Sequence, residues 1–295
     1  MEMTVLDFLA APFVASLILT GIHAYLGVHV VERGVIFVDL SLAQIAALGG
    51  AVALLLPATN GDPHAPVVYW ISLGFTFIGA AVFATVRGHR ARIPQEAVIG
   101  IVYAVASGAS ILALSHATSE SEHLKDMLVG NILAVSWPDV GKTALLYGAI
   151  GAFHYVFRRR FLLISLDPER AAAEGVSIRL WDFLFYASFG FVVTSSVAIA
   201  GVLLVFCYLI VPSVGAMLYA EGIGTRLAVG WTMGTVVSAL GVYLSLVLDL
   251  PTGATIVCTF GVVLALMATG RVLVGARVPV VEGSAATAGQ RDVGP

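Results

Sequence analysis

The chain alternates long apolar runs with short polar interruptions. Nine runs stand out, at 8–30, 35–56, 67–87, 95–115, 139–157, 182–200, 202–220, 227–247 and 254–274. Each is close to the ~20 residues that a helix needs to cross the hydrocarbon core of a bilayer. None has the strict apolar–polar alternation of a transmembrane barrel strand. The pattern predicts an all-α, polytopic membrane bundle of about nine spans, within a range of eight to ten. Its faintest boundary lies between the sixth and seventh runs, where only Gly190, Gly201, Pro212 and Gly215 punctuate residues 182–220. Residues 1–277 read as one transmembrane domain. Residues 278–295, rich in Gly, Ala and Ser, read as a disordered tail.

Composition supports this reading. Of 295 residues, 59% are hydrophobic and 11% charged, with mean hydropathy +0.98, whereas soluble domains carry about 25% charged residues. A net charge of -3 gives no case for a nucleic-acid partner. Cys207 and Cys258 sit inside apolar runs and imply no disulfide framework. Met1-Glu2 lacks the basic start of a cleavable signal, so the first run is read as the first span. Of the 15 Lys and Arg residues, all but Lys125 and Lys142 fall on one side of the nine-span layout. The positive-inside rule makes that side cytoplasmic. The expected location is the plasma or inner membrane, with the amino terminus outside and the carboxyl terminus in the cytoplasm.

One interruption, Arg158 to Asp182, gathers much of the charge. Asp167 can cap a helix with its carboxylate, and Pro168 suits the first helical position. Glu169 places negative charge at the positive end of the helix dipole, with Arg170 beside it. Ala171 to Ala173 favour helix, and Gly175 is a natural stop. The segment predicts a capped helix of about two turns, roughly 10 Å long. It is built either to touch something outside the membrane or as an ordinary cytoplasmic loop that happens to be helical. The residues alone leave both readings open.

No nucleophile–base constellation or phosphate-binding loop appears, so the informative groups are polar residues inside spans, where burial is expensive. These are His23 and His29 in the first span, and Asp39 and Gln44 in the second. Imidazole suits zinc, and carboxylate suits manganese as well. The plainer alternatives are a histidine bonded to a neighbouring helix, and an Asp39 paired with Arg33 near the headgroups. On the outer side, His116 and His123 lie in an acidic loop that either captures a metal ion or is simply solvated. Leu248-Asp249-Leu250-Pro251-Thr252-Gly253 reads as turn chemistry at a span end.

Several stretches together resemble the membrane permease of ABC importers for zinc, manganese and iron. They are Gly34 to Asp39 with the small-residue run to Gly50, Gln95 to Ile101, Gly130 to Trp137, Asp167 to Gly175, Gly201 to Pro212, and Leu248 to Gly253. The resemblance covers the chain to about residue 270. It implies a permease homodimer in lipid, a pair of cytoplasmic ATP-binding subunits, and an extracytoplasmic metal-binding protein. It makes Asp167, Pro168, Glu169, Arg170 and Gly175 part of a coupling helix seated on the ATPase. ATP would be bound by the partner, with no cofactor held by this chain. The family usually follows its aspartate with a serine–histidine pair within about a turn. Here Ala43-Gln44 stands at that place, and His23 or His29 is the candidate replacement.

The sequence therefore predicts a transporter subunit carrying a divalent transition metal inward, zinc ahead of manganese or iron. The alternatives are a self-sufficient secondary carrier and an ABC permease for a metal chelate.

Overall fold

The computed structural model describes residues 5–59, 62, 65–86, 94–115 and 132–273, with side chains from Leu9 onward. Among these residues the chain is helical, without strands. The helices are α1 (Val5–Glu32), α2 (Val38–Leu54), α3 (Pro66–Val86), α4 (Gln95–Leu114), α5 (Trp137–Val156), α6 (Arg158–Leu166), α7 (Pro168–Ala173), α8 (Ile178–Met217), α9 (Ile223–Leu248) and α10 (Thr252–Leu273). Six of them are long and apolar enough to cross a membrane: α1, α3, α4, α8, α9 and α10. The apolar α2 is shorter, at 17 residues.

The core forms around α8. It packs against α1, α2, α3, α9 and α10, and more lightly against α5, α6 and α7. Its buried face carries Phe185, Tyr186, Phe189 and Tyr208, all fully enclosed. The closest approach to α1 is at Gly27, where a Cβ would stand 2.0 Å from the carbonyl oxygen of Leu209. Only a residue without a side chain permits that crossing.

Unbroken, a helix of 40 residues would be about 60 Å long, twice the hydrocarbon thickness. α8 is not straight. Gly201 adopts φ 75°, ψ 160°, a conformation open almost only to glycine. The side-chain pairs show how far the chain turns. Asp182, near the start of α8, pairs with Arg33. Arg226, shortly beyond its last residue, pairs with the neighbouring Glu32. Both ends of α8 therefore lie beside the carboxyl-terminal end of α1, and the helix folds back at Gly201. The break falls where the sequence pattern placed its faintest boundary.

The start of α4 ties this framework to α2 and α3. Glu96 Oε1 accepts the backbone N–H of Phe37 at 3.1 Å, satisfying an amide at the start of α2. Gln95 Nε2 donates to Phe83 O and to Tyr186 Oη, both at 3.1 Å, joining α3, α4 and α8. Asp249 closes α9 in the left-handed region, with φ 52°. Leu250 N then donates to Ser245 O at 3.0 Å, so the Leu248–Gly253 stretch is a turn as its residues predict.

Not every glycine of the spans serves packing. Gly100 and Gly108 on α4 and Gly148 and Gly151 on α5 face open space within the chain. The α5 pair lines an apolar groove of 670 Å³ between α1, α5 and α9.

Candidate functional site

The charged interruption folds into two helices. α6 follows directly from α5 through Phe157 and turns Phe161, Ile164 and Ser165 inward, leaving Arg158, Arg159 and Arg160 exposed. Arg160 lies over the ring of Trp181 at 4.8 Å, and Arg158 over Tyr155 at 4.4 Å. α7 then begins at a cap. Asp167 Oδ1 accepts the N–H of Arg170 at 2.9 Å, and Pro168 occupies the first turn. Arg170 Nε reaches Glu174 Oε1 at 3.0 Å along the same helix. The helix stops at Gly175, with φ +73°, and Val176 N closes back on Ala171 O at 3.0 Å. Within α7 only Ala171 is buried, while Glu169 and Arg170 face outward. At six residues the helix is about 9 Å long.

Beneath α7 lies a polar cluster that single-residue reasoning missed. Arg33 Nη1 meets Asp182 Oδ1 at 2.8 Å, and the Arg33 guanidinium sits 3.9 Å from the centre of the Phe185 ring. Arg33 Nε donates to Ser165 Oγ at 2.9 Å. His29 Nδ1 is also 2.9 Å from that oxygen. Beside them, His154 of α5 shares a 3.3 Å hydrogen bond with Tyr25 and a 2.8 Å bond with Ser188, and its ring stacks on Phe161 at 4.3 Å. Ser188 donates to Phe185 O, so a neutral His154 with its proton on Nε2 satisfies all three groups. The available signal was the inward spacing of Phe161, Ile164 and Ser165 on α6.

The predicted ion-path residues divide between sites. His29 belongs to the cluster around Arg33. His23 lies deeper in α1, fully buried, with Nδ1 2.8 Å from Leu19 O, an unpartnered Nε2, and its ring 6.2 Å from that of Tyr147. Asp39, on the first turn of α2, is 1% exposed, and its Oδ1 has no hydrogen-bond partner. Its neighbour Ser41 has a buried hydroxyl in the same condition. Gln44 is buried one turn further along α2. Asp39 hydrogen-bonds none of His23, His29 or Gln44. It does not pair with Arg33 either, because Arg33 points to Asp182 and Ser165. No group of three His, Cys, Asp or Glu side chains close enough to hold a metal is present among the described residues. His116 and His123 lie outside the described residues.

The described chain thus offers an exposed, capped helix on a polar hinge, with one carboxyl oxygen of Asp39 and one imidazole nitrogen of His23 unpartnered inside a helical bundle. That arrangement can bind a soluble partner at one end and accommodate a cation within. A family model, the ABC 3 transport family, matches residues 5–271. The manganese transport system membrane protein MntC of Listeria innocua is 27% identical over 234 residues, 77% of this chain and 81% of that protein. The chelated iron transport system membrane protein YfeC of Yersinia pestis is 25% identical over 244 residues, 82% of this chain and 79% of that protein. Among solved structures, PsaBC from Streptococcus pneumoniae in complex with Fab superposes with TM-score 0.73 at 23% identity, covering 88% of this chain and 90% of that one. The motifs of the sequence, the bundle and these matches agree: the chain belongs to the ABC 3 transport family.

Proposed function

We propose that the chain is the membrane permease of an ATP-binding cassette importer that carries a divalent transition metal ion inward. One observation carries the reading: a chain of this transport family presents an exposed, capped helix, Pro168–Ala173, between two bundle helices. In this reading α7 docks on a cytoplasmic ATP-binding subunit, two permeases form the pore, and a metal-binding protein delivers the ion from outside. ATP hydrolysis takes place in the partner. The chain crosses the membrane nine times, with its amino terminus outside. Supporting that count are the fold-back at Gly201, which divides α8 into two arms, and the packing of α2 and α5 within the bundle.

The ion path runs past Asp39, whose carboxyl is enclosed without a hydrogen-bond donor for Oδ1. Carboxylate and amide oxygens suit manganese, whereas imidazole suits zinc, and the relatives above are named for manganese and chelated iron. That moves manganese or iron ahead of the zinc expected from residue types. A metal chelate is the second reading, favoured by the missing preformed ligand set among the described residues.

The test is uptake into vesicles by the chain reconstituted with its ATPase and binding protein, with manganese, iron and zinc in competition and an iron chelate alongside. ATP-dependent uptake of a free ion is the expected result. Uptake driven by an ion gradient without ATP would overturn the assignment, and uptake of the chelate alone would transfer it to the second reading.

A further inference from the structure

Between the helix that faces outward and the bundle stands one hydroxyl. Ser165 Oγ, on the last turn of α6, donates to Phe161 O at 2.9 Å and accepts from Arg33 Nε at 2.9 Å. Its one proton is then committed, so His29 must donate from Nδ1 to the remaining lone pair. His29 of α1 and Arg33, the residue just past its end, are thereby held by one atom of α6. The same end of α1 is gripped by α8 through Asp182 and by α9 through the Glu32–Arg226 pair.

α7 begins three residues after Ser165 and makes few contacts of its own. A displacement of α7 enters the bundle along two links: α6, which precedes it, and α8, which begins five residues after Ala173 and contacts it more lightly. Phe161 holds α6 to α5 and α8 through His154, Trp181 and Phe185. Those are ring contacts, which tolerate sliding. The Ser165 bonds are directional and charge-assisted on the Arg33 side, and they weaken steeply with misalignment. They reach α1, the helix that carries His23 into the bundle.

We propose that Ser165 is a positioning residue for transport: its hydroxyl couples movement of the docking helix α7 to α1. The inference rests on the permease reading above. With Ser165 intact, α6 and α1 move as one body when the ATPase pulls on α7. Without the hydroxyl, α6 slides on its aromatic contacts, and α1 is left to follow only through Asp182 of α8.

The experiment measures metal transported per ATP hydrolysed by the complete reconstituted complex. If the wild-type complex fails to assemble or to transport with ATP, the permease reading itself fails. In a working complex, Ser165→Ala is expected to retain the ATPase subunits and hydrolyse ATP, while the transport ratio falls about tenfold, within the range of mutations that alter coupling. Ser165→Thr restores the hydroxyl and should bring the ratio to within about twofold of wild type. An unchanged ratio in Ser165→Ala, or a Thr variant as defective as Ala, overturns the proposal. Should Ser165→Ala not assemble, Arg33→Lys carries the same test. It keeps a cation facing Asp182 but lacks the fork that also reaches Ser165, and an unchanged ratio there is equally fatal.

Discussion

Arg33 Nη1 lies 2.8 Å from Asp182 Oδ1, with both side chains wholly shielded from solvent. The pair joins the carboxyl-terminal end of α1 to the start of α8, two elements far apart in sequence. Removing one member of a buried pair leaves the other charge in a low dielectric, typically at a cost of about 3–5 kcal/mol. Asp182→Ala should therefore lower the melting temperature of the detergent-purified protein and its yield. Replacing both, as Arg33→Met with Asp182→Leu, should recover part of the loss. A double variant no more stable than Asp182→Ala would contradict this account.

Asp39 makes the opposite case. Its carboxyl is enclosed, yet Oδ1 has no donor, so it contributes little to stability as it stands. Asp39→Asn should leave thermal stability equal or higher and ATPase association intact. Metal uptake per assembled complex should fall by about tenfold or more, as expected for an intramembrane acid with a functional role. Wild-type uptake would refute the ion-path role.

Gly175 and Glu169 test the docking helix. Proline at 175 cannot adopt φ +73°, because its ring holds φ near −65°. Glu169→Arg places positive charge at the positive end of the α7 dipole. Both variants should insert and fold with normal yield but retain less ATPase on co-purification. Undiminished retention by both would rule out α7 as the main contact.

Topology is open to labelling. In a background without Cys207 and Cys258, cysteines at Ala173 and Leu250 should react with an impermeant reagent from opposite sides. Ala173 ends α7, and Leu250 lies in the turn between α9 and α10, at the end of α9 remote from Arg226. Labelling of both in intact cells would contradict the nine-crossing layout.

Local chemistry was legible wherever it sufficed. Asp167, Pro168 and Gly175 specify the cap, first turn and stop of α7, and the structure shows each in that role. Gly201 marked the one break inside the long apolar run. By contrast, α6 was hidden because Arg158 to Arg160 read as loop charge, although Phe161, Ile164 and Ser165 keep helical spacing. The hub was hidden for a different reason. Its members come from α1, α5, α6 and α8, and pairing across such separations leaves no trace in local pattern. Hence the bond between His29 and Ser165 could not be foreseen from either residue alone. Asp39 read as the least expected polar residue of the spans, and the fold encloses it, but its neighbours were set by helix packing that periodicity does not report.

The reversal at Gly201 also has a consequence of parity. Each reversal returns the chain to the end of the bundle it left, so adding or losing one turns every later helix end for end. A straight α8 would carry Met217 about 50 Å from Asp182, and Glu32 would lose Arg226. One glycine thus sets the direction in which the chain runs from Val202 to the end of α10.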